Sequence, residues 1–306
     1  MNKRFIDQFI RNNFLAICIF LAMVFAVAKG ATVFQKKSDT PVSEIPNAFE
    51  TADFKKYWYN GKVEVSSYEL QQTVAGISNT GEASLVFETV DFLTNKHVIS
   101  VSANNPDATT VLQLKSGQQL SGNYPGNGTI LVFSPVNTLL FPHALKASVA
   151  FSGIQNKPFA SLNLRNRTYE LAFEEKQGKT EKKLHHLERL WIEDELWTRL
   201  RLAPQKMPVG KVLLIPSLRQ ISQQHNKIRP REAEAKIDSS NARLLKYELS
   251  YPERKLSIAF LPTFPYRIEG WEETTRVEGK EMTTKAVFRE IILTGERTKM
   301  ISGLLK

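Results

Sequence analysis

The sequence predicts a mainly β fold: a large curved antiparallel sheet, half-barrel-like, that partly wraps one or two helices. Short segments in which apolar and polar residues alternate at period two recur along the chain. Clusters of Gly, Asn, Pro and Asp separate them, without intervening helical patterns, which favours antiparallel pairing. A single segment, HLERLWIEDELWTRLRLAP, breaks that rhythm with a mostly helical spacing.

In chain order, the first 28 residues stand apart from the fold. MNKRFIDQFIRNN sets Lys3, Arg4 and Arg11 against Asp7, and the apolar run FLAICIFLAMVFAVA follows, about 15 residues long. That is the length of a signal-peptide core and short of the roughly 20 residues that span a bilayer. Ala26, Val27 and Ala28 supply the small-x-small cleavage pattern. Residues 1–28 therefore read as a signal peptide, or as an inner-membrane anchor through residues 14–28. Either places the protein outside the cytoplasm, in the periplasm or cell envelope. Residues 29–53 read as a polar linker, and residues 54–306 as a single β-rich domain.

Within that domain, Val63, Val65 and Ser67 alternate with Glu64, Ser66 and Tyr68, just after the turn signal Asn60-Gly61. Strand patterns follow at 82–90, 96–103, 109–115, 128–136, 144–153, 159–165 and 168–175. Then Leu187, Leu190, Trp191, Leu196, Trp197 and Leu200 fit a helix that Pro204 ends. Strands resume at VGKVLLIPSL, ARLLKYELSYP, KLSIAFLP, PYRIEGWEET and KAVFREIILT.

The chain carries 41 basic and 31 acidic residues, a net charge of +10. From Lys29 to Glu174 the signs balance, and the excess falls in the C-terminal half. That asymmetry suggests an anionic membrane or polymer surface as partner; nucleic acid is not expected of an exported chain without a binding motif. Cys18, the only cysteine, lies in the apolar run, so the domain has no disulfide, thiolate metal site or cysteine nucleophile.

Two groups of residues are candidates for a site. The aromatics Trp58, Tyr59, Trp191, Trp197 and Trp271 are first of all core fillers, and in a minority reading they line a cavity for an apolar or lipid-like ligand. The second group lies in FPYRIEGWEET, where strand period puts Arg267, Glu269, Trp271 and Glu273 on one face. Glu269 and Glu273 would then stand roughly 13 Å apart along the strand. Paired carboxylates of glycosidases work at roughly 5–9.5 Å, so the stretch reads as a possible polar site or a salt-bridged face rather than an acid–base pair. His185-His186 lacks the spacing of a zinc site, and no G-x-S-x-G or phosphate-cradling loop occurs. No catalytic residue, metal or cofactor is assigned.

Three stretches, KKYWYNGKVEVSSYELQQ, IEDELWTRLRLAPQKMPVGKVLLIPS and FPYRIEGWEET, resemble an uncharacterised group of exported proteins and lipoproteins of Bacteroidota. Its members commonly carry the label "septum formation inhibitor Maf". The likeness spans roughly residues 54–275. It implies an envelope protein and names no chemistry; the SxSPRR-type loop of the Maf nucleotide pyrophosphatases is absent here. Cys18 is also misplaced for lipid attachment.

Three functional expectations follow. The first is non-enzymatic binding of an apolar ligand or envelope component. The second is a structural or assembly role through protein contacts. The third is hydrolysis of an envelope polymer.

Overall fold

In the computed structural model, residues 50–102, 105–121, 128–151, 159–177, 179–224, 228–277 and 280–295 are described. Two compact units divide the chain, Met1–Glu44 and Ile45–Lys306, and all the described residues belong to the second. The leader and most of the linker read from the sequence lie outside them. Among the described residues, no helix is long and apolar enough to cross a membrane.

The described chain begins with α1 (Ala52–Trp58), whose first turn is capped by the Thr51 hydroxyl accepting from the Phe54 amide at 3.2 Å. Strands β1 (Val63–Val74), β2 (Ile77–Leu93), the short β3 (Val98–Ile99), β4 (Ala108–Leu120), β5 (Gly128–Pro135) and β6 (Lys146–Phe151) follow. Next come β7 (Phe159–Arg165), β8 (Thr168–Gln177), β9 (Lys179–Glu188) and the two-residue β10 (Trp191–Ile192). A 3₁₀ turn at Glu193–Glu195 leads into α2 (Leu196–Leu202). The remainder is β11 (Gly210–Ile215), α3 (Leu218–Gln224), β12 (Arg231–Asp238), β13 (Leu245–Tyr251), β14 (Arg254–Phe260), β15 (Ile268–Val277) and β16 (Lys280–Thr294).

All sixteen strands join one sheet in the order β10-β11-β12-β13-β14-β15-β16-β1-β2-β4-β5-β6-β7-β8-β9, with β3 alongside β2. Every pairing is antiparallel except β10 with β11. The order is a continuous meander whose last strand returns to pair with the first, from Val63↔Thr294 to Val74↔Met282. The two ends of the sheet, β9 and β10, are separated in sequence only by Arg189 and Leu190. Three chain steps reach at most about 11 Å, so the sheet must coil until its edges meet there. This is the curved, mainly β architecture expected from the sequence, carried further round than a half-barrel.

Alternation sorts the strands into an inner and an outer face. Tyr68, Leu70, Leu85, Phe87, Leu112, Leu114, Leu249, Ile258 and Trp271 are buried in one core with Leu196 and Leu200 of α2. A smaller cluster of Val90, Phe92, Val111, Phe133 and Leu145 lies apart from it. A coil of this many strands encloses more space than inward side chains fill, and Glu193–Leu202 occupies it. Ala203, restricted by Pro204, ends α2 after two turns.

Several elements depart from the sequence expectation. The helical pattern breaks up: Leu187 lies near the end of β9, Trp191 opens β10, and only Leu196–Leu202 is α-helix. Helix α1 starts inside the segment read as linker. Strands β9 and β12 and helix α3 have no counterpart in the apolar pattern. KTEKKLHHLE does not alternate, and REAEAKID buries only alanines fully, Ala233 and Ala235, with Ile237 partly buried against the core.

Candidate functional site

The interior segment IEDELWTRLR is dense in charge yet buried. Glu193, Asp194, Glu195, Arg199 and Arg201 are each at most 3% exposed. Burying a charge is costly unless it is paired, and nearly every one of these side chains is fastened to a different wall.

Glu195 accepts from the Ile192 and Ala144 amides and meets His143 Nδ1 at 3.1 Å. Asp194 accepts from the Leu218 amide at the start of α3, at 2.8 Å. Burial pushes its carboxyl up to about 6, against that hydrogen bond. Arg201 forks onto Glu64 of β1 at 2.5 and 2.6 Å and donates to the Pro265 carbonyl. Its guanidinium carbon stands 4.7 Å from the Phe87 ring centroid and 5.1 Å from that of Trp58. Burial raises the Glu64 carboxyl, but Arg201, with Tyr57 and Ser66, outweighs it and holds the group below the usual range. Arg199 donates to the Pro142 carbonyl at 2.6 Å, its Nε has no partner, and desolvation lowers its pKa.

Glu193 contacts Arg254 of β14 at 2.5 Å and accepts from Tyr251 at 2.8 Å. Arg254 also reaches Glu273 of β15 at 2.7 Å and Thr275 at 3.0 Å. Two acids distant in sequence, Glu193 and Glu273, thus meet across one guanidinium. Burial would raise the Glu273 carboxyl, but Arg254 and Arg219 bring it below its usual range. A carboxylate held ionised in this way is a poor proton donor. Glu193 was not among the residues the sequence singled out; its only signal was an acidic run beside a helical apolar pattern.

The sequence-predicted residues fall into separate groups. Trp58 is buried at the end of α1, beneath Arg201, whereas Tyr59 beside it is 40% exposed. Trp191, on β10, is half-buried edge-on to His143 at 4.9 Å. Trp197 and Trp271 do come together edge to face, ring centroids 5.2 Å apart, and Tyr68 continues the edge-on series at 4.8 Å from Trp271. Arg267 and Glu269 pair with each other at 2.6 Å. A bulge explains why Glu273 is not with them. Ala259 pairs with Gly270 but Phe260 with Ile268, so Glu269 is an extra residue, and Ile268 and Trp271 both turn inward. Gly270 approaches β16 closely: a Cβ there would lie 2.4 Å from the Ala286 carbonyl oxygen.

The outer face of β12–β15 carries a different feature, a groove of about 630 Å³. Ser250 and Ser257 are small residues among longer side chains: Glu234, Lys236, Glu248, Lys255 and Glu272. Lys236 and Glu248 pair across it at 2.9 Å. Register aligns Glu234 with Ser250 and Ser250 with Lys255 in one row. The volume lies within the range of small-molecule sites.

No protein-family model and no curated protein matches the sequence. Among solved structures, the chain is similar to the beta-barrel-like protein of domain of unknown function DUF1849 from Brucella abortus. The TM-score is 0.43, at 6% identity, over 76% of this chain and 98% of that one.

Proposed function

We propose that the chain is a non-enzymatic protein of the cell envelope that acts by binding an envelope component through the outer surface of its sheet. The filling of the sheet's interior by Glu193–Leu202 carries this reading. Leu196, Leu200, Trp271 and Tyr68 all belong to one buried core inside the sheet. The packing therefore supports a solid domain over an internal carrier. Glu193 and Glu273 share Arg254, which favours binding over acid–base hydrolysis. The envelope placement rests on the basic start, the short apolar run and Ala26-Val27-Ala28.

Photocrosslinking in cells tests this, with a photoreactive residue at outward positions Glu82, Ser257 and Lys285 in turn. A reproducible crosslinked envelope product from at least one position is expected, and solvent extraction of the purified protein should release no stoichiometric lipid. One equivalent of acyl lipid in the extract would refute the reading. So would hydrolysis of an envelope polymer that is lost in Glu273→Gln.

A further inference from the structure

We propose that the groove on β12–β14 binds a short peptide with free ends, its amine on Glu234 and its carboxylate on Lys255. This deepens the surface-binding reading above and rests on it. Glu234, Ser250 and Lys255 are cross-strand neighbours on three successive strands. They point away from the core, and all three are exposed. Among the described residues none of the three side chains has a hydrogen-bond or ion-pair partner. By contrast, Lys236 and Glu248, one row along the same strands, satisfy each other at 2.9 Å. Glu234 also faces Lys211 of β11 in register without an ion pair forming between them.

Geometry sets the length of the ligand. Strands lie roughly 4.8 Å apart, so Glu234 and Lys255 are about 10 Å apart across the sheet. An extended peptide advances roughly 3.3–3.6 Å per residue, so the termini of a tripeptide cover that span. The ligand crosses the strands with its middle over the Ser250 hydroxyl. Ser250 and Ser257 are short enough to leave room, within a groove of about 630 Å³. Opposite charges at the two ends fix the direction of the chain, and each end makes a charge-assisted hydrogen bond. Glu272, diagonal to Lys255 across β14 and β15, repels a carboxylate that strays toward β15.

The test is titration calorimetry of the full chain with trialanine carrying free termini, alongside N-acetyl-trialanine-amide and maltotriose. Trialanine should bind, with affinity falling at least threefold between 50 and 300 mM salt, and the capped peptide should bind at least tenfold more weakly. Lys255→Glu and Ser257→Trp should each abolish the heat signal. Both side chains face outward, and an unchanged urea midpoint confirms that the variants remain folded. Glu234→Lys should weaken free trialanine while sparing a peptide acetylated at its N-terminus. Equal binding of capped and free peptide, binding of maltotriose instead, or undiminished binding to Lys255→Glu overturns the proposal. If trialanine fails while crosslinks from Glu82 or Lys285 persist, the groove assignment falls and the surface-binding reading stands.

Discussion

Asp194→Asn isolates a buried charge that the fold tolerates at a cost. Asp194 is 3% exposed and accepts from the Leu218 amide, with Glu193 beside it and Arg219 the favourable charge facing it. Burial raises its pKa from 3.8 to about 6. At about 1.36 kcal/mol per pH unit, that difference amounts to roughly 3 kcal/mol of stability withheld when the group is ionised. The sign follows from the direction of the shift. A carboxyl raised in the folded state binds its proton more tightly there than in the unfolded chain. Stability therefore rises as pH falls through 6, and the gain is complete below 3.8. Glu64 and Glu273, whose pKa values are lowered, act oppositely, but only below their ordinary value of 4.5. Among these three carboxyls, the interval from pH 7.5 to 5 thus belongs to Asp194. Asparagine keeps an acceptor for Leu218 and removes the charge. Urea midpoints measured from pH 5 to 8 should slope for the native chain and flatten in the variant, with the variant more stable at pH 8 by up to about 3 kcal/mol. Subtracting the two profiles isolates the contribution of Asp194. An unchanged slope in Asp194→Asn would refute the reasoning.

Further outcomes follow from the same contacts. Arg201→Ala should destabilise by about 3–5 kcal/mol because it strands Glu64 in the core, and Glu64→Gln in that background should restore part of the loss in a double-mutant cycle. Gly270→Ala should cost about 1–3 kcal/mol by urea denaturation, since its Cβ meets the backbone of Ala286 and cannot rotate away. Glu269→Gln, which removes a half-exposed ion pair with Arg267, should shift stability by less than about 1 kcal/mol. Glu273→Gln should cost more than Glu269→Gln in the same assay, because Arg254 would keep only one carboxylate partner in the core; equal effects would contradict the buried network.

FPYRIEGWEET shows how far local pattern reaches. Strand period placed Arg267, Glu269 and Glu273 on one face, but the bulge at Glu269 resets the alternation. Glycine at position 270 hinted at that irregularity, yet the carbonyl it makes room for belongs to β16, and pairing partners are not written in one segment. The aromatics behave alike. Each was recognisable as a large filler, but only Trp197 and Trp271 meet, because a helix and a distant strand bring them together.

Alternation, turn residues and the lone helical segment by themselves determined a mainly β domain curved round a helix. These signals are local, and each strand declares its own faces. Tertiary structure decided the order of the sixteen strands, the near-closure at Arg189–Leu190, and the burial of EDELWTRLR. A run so rich in Glu and Arg reads as surface until its partners are known. Glu64, Arg254, Leu218 and Ala144 supply them from four separate parts of the chain. The groove on β12–β14 likewise exists only through register, since Glu234, Ser250 and Lys255 become neighbours when three strands align. Hydrophobic period fixes which side of a strand faces water; only pairing fixes what stands beside it.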